Sequence, residues 1–483
     1  MSALINRRWA YLAAIALVFV WGICYKSALL PQTRNSRSAY SRTDEPPQQR
    51  PVYEPVAPKS EMVLQESFDS PSAAPASQYF DQVFSLGEPP KYGFPALRQH
   101  CAHMRWPEDD VYLQCEGMSA GLTSIVSQVK VCLKMALDAG TGIILPSMPL
   151  RDSDDLKNFN FWNGSAYMTY DKWFDAQHLI EEVGRVCPQM KILHPEQIPS
   201  ESGEVSEAVT ELVPVKNRWV MGINNAVGYE VFTPYFWTGR PFKAFFDQEF
   251  TALEDLAMMS PDRDESKKGI TIIKIASQFL IFRIMDDPTG QELKLWNDLS
   301  YLIRFKQEPR EIIDKLLSRI SRPFYGVHFR VESDTIWSPF EHQLQVDLDA
   351  LDKAWDKYGL LDTQKPLVYL ACGDQGQVER FVKAGKERGW DVTHKWDLAQ
   401  SDPNTLQAIN DLPFDFQGAV DMGIMVKSYF FLGISGSAFS STIGNARDVT
   451  GRYRGSSFTV YDDEGARTHL FNDNDANSYA CCL

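Results

Sequence analysis

The segment His328-Phe329-Arg330-Val331-Glu332-Ser333-Asp334 sets four ionisable side chains at alternating positions directly after the apolar run Phe324-Tyr325-Gly326-Val327. In an extended strand alternate residues share a face, so His328, Arg330, Glu332 and Asp334 are expected to point one way at the strand's end. A guanidinium fork suits the oxygens of a phosphate, an imidazole beside it donates a second bond, and nearby carboxylates orient the cations or accept from a sugar hydroxyl. The plainer reading of the same residues is a solvated edge strand with surface ion pairs.

Two further segments could hold an anion. Val111-Tyr112-Leu113-Gln114-Cys115 reads as a strand, and the small-residue loop Glu116-Gly117-Met118-Ser119-Ala120-Gly121 follows it. A helix then carries Ile125, Val129, Cys132 and Met135 at three-to-four spacing, and Gly142-Ile143-Ile144-Leu145-Pro146 returns as a second strand. That unit brings backbone amides and a helix N-terminus to one turn, although its glycines lack the GxGxxG spacing of a dinucleotide site. Downstream, the apolar run Tyr429-Phe430-Phe431-Leu432 meets Gly433-Ile434-Ser435-Gly436-Ser437-Ala438-Phe439-Ser440-Ser441-Thr442. Glycines and hydroxyl residues between a strand and a helix can cradle a phosphate; a serine-rich helix cap is the plain alternative.

These segments need strands and helices to position them. A helix is expected around Pro309 to Ile320, leading into the strand that ends at His328. Leu367-Val368-Tyr369-Leu370-Ala371 reads as another strand with Asp374 just beyond its end, and Gly418 to Lys427 reads as a helix carrying Asp421. Strands alternating with helices predict an α/β fold with parallel sheets. The chain of 483 residues, 44% of them hydrophobic, can bury the cores of two domains. Its net charge of -15 excludes nucleic acid as the main partner and suits a small anion held in a cleft.

Arg7 and Arg8 precede an apolar run from Trp9 to about Tyr25, which predicts a single membrane anchor with a cytoplasmic tip; a cleaved signal peptide is the competing reading. Residues 31–79 are rich in Pro, Ser, Gln and Arg and read as a disordered stem. A luminal body permits disulfides among Cys101, Cys115, Cys132 and Cys187, with connectivity left open, and makes Asn163-Gly164-Ser165 a glycosylation sequon. Between Asp152 and Lys267 lie aromatic runs such as Tyr235-Phe236-Trp237, read as core or as a platform for an acceptor.

In their order, the loop after Cys115, the stretch Leu302-Ile303-Arg304-Phe305 followed by a helix and His328-x-Arg330, and the run Phe431 to Ser441 resemble the protein O-fucosyltransferase superfamily. The resemblance implies an α/β, GT-B-like architecture of two Rossmann-like domains facing across a cleft. Residues 1–30 would form the tip and anchor, 31–79 the stem, 80–300 the acceptor-side domain and 301–483 the nucleotide-sugar domain. It implies inverting transfer of fucose from GDP-fucose, as co-substrate and with no required metal, to a protein or glycan hydroxyl. The site would be a type II membrane protein's luminal body, in the endoplasmic reticulum or Golgi.

Carried over by residue, Gly117, His328, Arg330, Asp374, Asp421, Ser437, Ser440 and Ser441 would bind the donor. His328 and Arg330 would hold the diphosphate, Asp421 would read the guanine edge, and Ser440 and Ser441 would take the β-phosphate. Arg330 and Glu116 are the catalytic candidates, Glu116 as base with Glu332 and Asp334 as rivals. The chain departs from many relatives at Ser119-Ala120, where they carry Asn-Gln. Two alternatives therefore stand beside the transferase: a catalytically inactive luminal nucleotide- or glycan-binding scaffold, and a transferase for another nucleotide sugar.

Overall fold

The computed structural model describes residues 84–89, 91–107, 110–198, 213–215, 218–223, 242–258, 269–276, 291–332, 339–359, 364–434, 437–447 and 468–471. All of them belong to one compact unit, Ser70–Leu483. The apolar run Trp9 to Tyr25, the stem, Asp334, Tyr235-Phe236-Trp237 and Ser435-Gly436 lie outside the described residues. Among the described residues no helix is long and apolar enough to cross a membrane.

Two sheets organise the unit. The first contains β1 (Val111–Glu116), β2 (Gly142–Ile144), β5 (Ile192–Leu193), β6 (Val213–Val215), β7 (Arg218–Ile223) and β8 (Ile270–Ala276), in the order β5-β2-β1-β8-β7-β6. All its neighbours pair in parallel except β6 with β7. A separate antiparallel ribbon joins β3 (Ser147–Pro149) to β4 (Tyr167–Thr169). The second sheet is parallel throughout: β9 (Phe324–His328), β10 (Leu367–Ala371), β11 (Asp391–Thr393), β12 (Phe430–Ile434) and β13 (Thr468–Phe471), in the order β11-β10-β9-β12-β13. Every residue of β9 and of β12 is buried, as expected of parallel strands covered on both faces, and both therefore read as unbroken apolar runs in the sequence.

The topology fixes where a ligand can enter. From β9 the chain runs outward through β10 and β11, then returns to lay β12 and β13 on the other side. The crevice at the carboxyl ends of β9 and β12 is thus a topological switch point, where open α/β sheets admit ligands. In the first sheet the chain instead passes from β5 to the far edge at β6 and works inward through β7, so that β8 is laid last, beside β1.

The helices keep close to their expected places. Leu122–Ala139 is buried on nearly every side and stops at Gly140, whose φ of 73° and 2.4 Å approach of a hypothetical Cβ to the Arg105 carbonyl admit only glycine. The helix expected from Pro309 spans Gln307–Leu317, with Pro309 in its first turn, where a missing N–H costs nothing. It lies against Phe414–Met425, the helix carrying Asp421, closely enough that a Cβ on Gly423 would meet Ile313 Cδ1 at 2.3 Å. Disulfides join Cys101 to Cys187 and Cys115 to Cys132, which resolves the connectivity left open by the sequence. Cys372 is a buried free thiol.

One expectation needs correction. The strand before the His-Arg segment ends at His328 rather than running on to Asp334. Phe329 N–H still donates to the Ala371 carbonyl at 2.9 Å, but the chain then leaves the ladder because Glu332 turns back onto Arg330 and onto Gly373 of the neighbouring strand's loop.

Candidate active site

A cavity of about 200 Å³ opens at the switch point of the second sheet and faces the loop that follows β1. Its walls include His328 at the end of β9 with Arg330 and Glu332 beyond it, Cys372 and Gly373 beyond β10, and Ser437, Ala438 and Phe439 beyond β12. The opposite wall is built from Ala120 to Ser124 and Arg151. The segments singled out in the sequence therefore meet in one cleft, although Ala120 and Phe439 of its lining are 319 positions apart.

His328 is buried, its ring against Phe439 with centroids 4.4 Å apart. Burial drives its pKa down to about 3; Glu332 pulls the other way and Arg330 reinforces the fall. The imidazole is thus neutral at physiological pH. Nδ1 lies 2.7 Å from Ser440 Oγ, and that oxygen also accepts the Ile434 amide at 3.1 Å. Ser440 thereby ties the strand β12 and the helix Ala438–Arg447 to the tip of β9 and fixes the imidazole's rotation. With Nδ1 so engaged, Nε2 is the nitrogen left for a ligand.

Arg330 donates to Glu332 at 2.6 Å, and the other oxygen of Glu332 accepts the Gly373 amide at 2.7 Å. Burial raises the Glu332 carboxyl, but Arg330, His328 and the Gly373 amide outweigh it and hold the group below its ordinary range. Glu332 is therefore a carboxylate that orients the guanidinium. Both its oxygens are occupied, which leaves it poorly placed to accept a substrate proton.

Asp421 lies deep in the cleft wall. Tyr369 donates to one of its oxygens and Lys395 to the other, each at 2.7 Å. Lys395 was not singled out in the sequence; it opens the short helix Lys395–Ala399 just beyond β11, a strand-end position that is the only sequence signal for it. A second residue missed is Asp415. It accepts from Arg151 at 2.8 Å and from the Leu122 amide at 3.3 Å, so it binds the N-terminus of one wall's helix to the other wall. Lys395, Asp421 and Asp415 are buried and Arg151 is partly so, and in each case the partners come together only through the fold.

The remaining residues fall less centrally. Ser437 lines the cavity and its Oγ lies 3.5 Å from the Ser440 amide, in the capping position of the helix that follows. Ser441 is buried behind it, outside the cavity lining. Asp374 caps the helix Gln375–Glu387 by accepting the Gln377 amide at 3.1 Å and does not line the cavity. Gly117 supplies a turn at φ 79°, and Glu116 ends β1 in an ion pair with Lys274 at 2.8 Å; neither lines the cavity.

The loop between them is tightly held. Gln128 Nε2 donates to the Ser119 carbonyl at 2.6 Å while its Oε1 accepts the Ser119 amide at 3.2 Å. Ala120 is thereby set at φ 105°, a region that side-chain-bearing residues rarely adopt, on the cavity's edge. Among the described residues no group of three or more His, Cys, Asp or Glu side chains is gathered as for a metal ion.

No protein-family model and no curated protein matches the chain. Among solved structures it is similar to POFUT1 in complex with GDP-fucose, at 13% identity and a TM-score of 0.41 over 76% of this chain and 98% of that one. It is also similar to Arabidopsis thaliana FUT1 in complex with GDP, at 12% identity and a TM-score of 0.37 over 77% of this chain and 76% of that one. A third is the fucosyltransferase NodZ from Bradyrhizobium, at 13% identity and a TM-score of 0.35 over 71% and 93%.

Proposed function

We propose that the chain is a glycosyltransferase that uses a nucleoside-diphosphate sugar, GDP-fucose by the resemblance of its motifs, and works as the luminal body of an anchored protein in the endoplasmic reticulum or Golgi. One observation carries the reading. The neutral His328, the Glu332-oriented Arg330 and the Ser437 cradle converge at the carboxyl ends of β9 and β12, the switch-point crevice of a parallel sheet.

Breaking a sugar–phosphate bond builds negative charge on the departing diphosphate. Donors fixed in advance at that spot lower the barrier, because they need no reorganisation as the charge appears. Arg330 supplies the full positive charge, the Nε2 side of His328 a neutral polar contact, and the first turn of the helix Ala438–Arg447 its backbone amides. Inversion requires the acceptor oxygen to attack the anomeric carbon from the face opposite the diphosphate while its proton passes to a base. Glu116, ion-paired with Lys274 at 2.8 Å, holds that role in this proposal. Asp421 would meet the nucleobase through the network it shares with Lys395 and Tyr369.

The test is calorimetric titration of the purified protein with GDP, UDP and ADP in the presence of a chelator, beside Arg330→Ala. Binding of GDP alone, lost in Arg330→Ala, is the expected result; a folded protein that binds no nucleotide would overturn it. The inactive-scaffold reading is favoured by Ser119-Ala120. It predicts GDP binding with no hydrolysis of GDP-fucose and no transfer to any acceptor.

A further inference from the structure

The loop joining β3 to β4 carries a feature that the cleft chemistry does not use. Trp162 is 98% exposed, whereas the other exposed large hydrophobic residues described, Leu86 and Tyr429, are less than half exposed. A single exposed indole is ordinary on a protein surface, but its flat apolar face is free to take a flat apolar partner. The tip is rigid. Asn160, at φ 55°, opens a turn closed by the Asn163 amide donating to its carbonyl at 3.0 Å, and the Asn160 side chain donates to the Leu150 carbonyl at 2.8 Å. Tyr167 Oη donates to the Phe161 carbonyl at 3.3 Å.

Asn163 follows Trp162 directly and begins the sequon Asn163-Gly164-Ser165. All three residues are exposed, and a Cβ placed on Gly164 would meet nothing within 4 Å. Ser165 Oγ donates to Asn163 Oδ1 at 2.7 Å, so the hydroxyl and the amide that such a sequon requires are already in contact. Room for a bulky substituent, the acceptor motif and an exposed indole face coincide on one turn.

We infer that Asn163 carries an N-linked oligosaccharide whose first sugar covers the face of Trp162, at the rim of the cleft that Phe159 of the same loop lines. The inference rests on the luminal placement given under the proposed function. In the transfer, Asn163 Nδ2 bonds the anomeric carbon of a lipid diphosphate-linked oligosaccharide. The sugar–phosphate bond breaks with its electron pair going to the diphosphate, and the amide loses one proton to the host transferase's base. Apolar C–H faces of a sugar then stack on the indole, as aromatic rings pack with flat apolar partners.

The full chain with a C-terminal epitope, expressed in cultured animal cells, tests this. Protease protection of microsomes reports the side of the membrane on which the body lies. Peptide N-glycosidase in heavy-oxygen water then marks every glycosylated asparagine as labelled aspartate. The expected result is a protected epitope with label at Asn163, lost in Ser165→Ala, and radical footprinting of Trp162 that rises about twofold in that variant as its ring is uncovered. Retention of the Cys101–Cys187 bridge in Ser165→Ala shows that the variant is folded. A protected chain with unlabelled Asn163 overturns the inference and leaves the luminal reading standing; an unprotected chain overturns both. Equal footprinting of Trp162 in a labelled parent and in Ser165→Ala overturns its covering by the sugar.

Discussion

Replacing Ser440 by alanine removes one oxygen that serves two elements at once. In the parent, Ser440 is fully buried and its Oγ meets the Ile434 amide at 3.1 Å and His328 Nδ1 at 2.7 Å. The methyl group of alanine satisfies neither. A buried polar group left without a partner costs about 1–3 kcal/mol, so two such groups predict a loss of roughly 2–6 kcal/mol, the lower end applying if a water molecule enters. That is a large share of the roughly 5–15 kcal/mol that holds a typical domain together. Urea unfolding of parent and variant, followed by tryptophan fluorescence, reads the difference as a shift in midpoint at unchanged slope. The functional consequence is separate. With Nδ1 released, the His328 ring loses its fixed rotation, and nucleotide affinity is expected to fall about tenfold, or about 1.4 kcal/mol, measured calorimetrically with GDP. A variant within about 0.5 kcal/mol of the parent in stability, the size of an ordinary surface substitution, would refute the reasoning, because it would mean that neither bond forms.

Two other outcomes follow from the buried charges. Asp421→Asn removes one partner of the buried pair with Lys395 and is expected to cost about 3–5 kcal/mol in urea unfolding, against about 1 kcal/mol for Tyr369→Phe, which removes only a neutral donor; equal losses would contradict the pairing. His328, depressed by burial to about 3, refuses a proton that the unfolded chain binds below its ordinary value near 6.5, so its contribution is present above that value and is lost as pH falls, by up to about 1.4 kcal/mol per pH unit. Asp298 acts with the opposite sign. Burial raises it to about 6 against the pull of the Leu97 amide and Tyr92, so its contribution is lost as pH rises toward that value. Unfolding measured from pH 6.5 to 4 should therefore steepen toward acid in Asp298→Asn and flatten in His328→Asn; a parental slope in His328→Asn would count against the buried neutral imidazole.

The strands that carry the site were legible because buried parallel strands are apolar throughout. Phe324–His328, Leu367–Ala371 and the run at Phe430 announce themselves without any knowledge of their neighbours. Position at a strand's end was a good guide to His328 and Ser437, which border the switch point, and a poor one to Asp374 and Glu116. Those two also sit at strand ends, but one turns to cap the helix after it and the other pairs with Lys274. What separates them is the direction of a side chain after the ladder ends, and no residue pattern encodes it. Arg151, Lys395 and Asp415 were invisible for a different reason. Arg151 and Asp415 are 264 positions apart, and a charged residue reads as surface until the fold supplies its partner.

The clasp of Gln128 on Ser119 has a consequence for the edge of the cleft. Because one amide side chain grips both the N–H and the carbonyl of Ser119, the path of the loop is written in a residue on the helix behind it, nine positions downstream. Backbone shape and side-chain identity are thereby uncoupled at the cleft's edge. A substitution at Gln128, a residue outside the cavity lining, would therefore reshape the cleft's edge at Ala120 as surely as one in the loop itself.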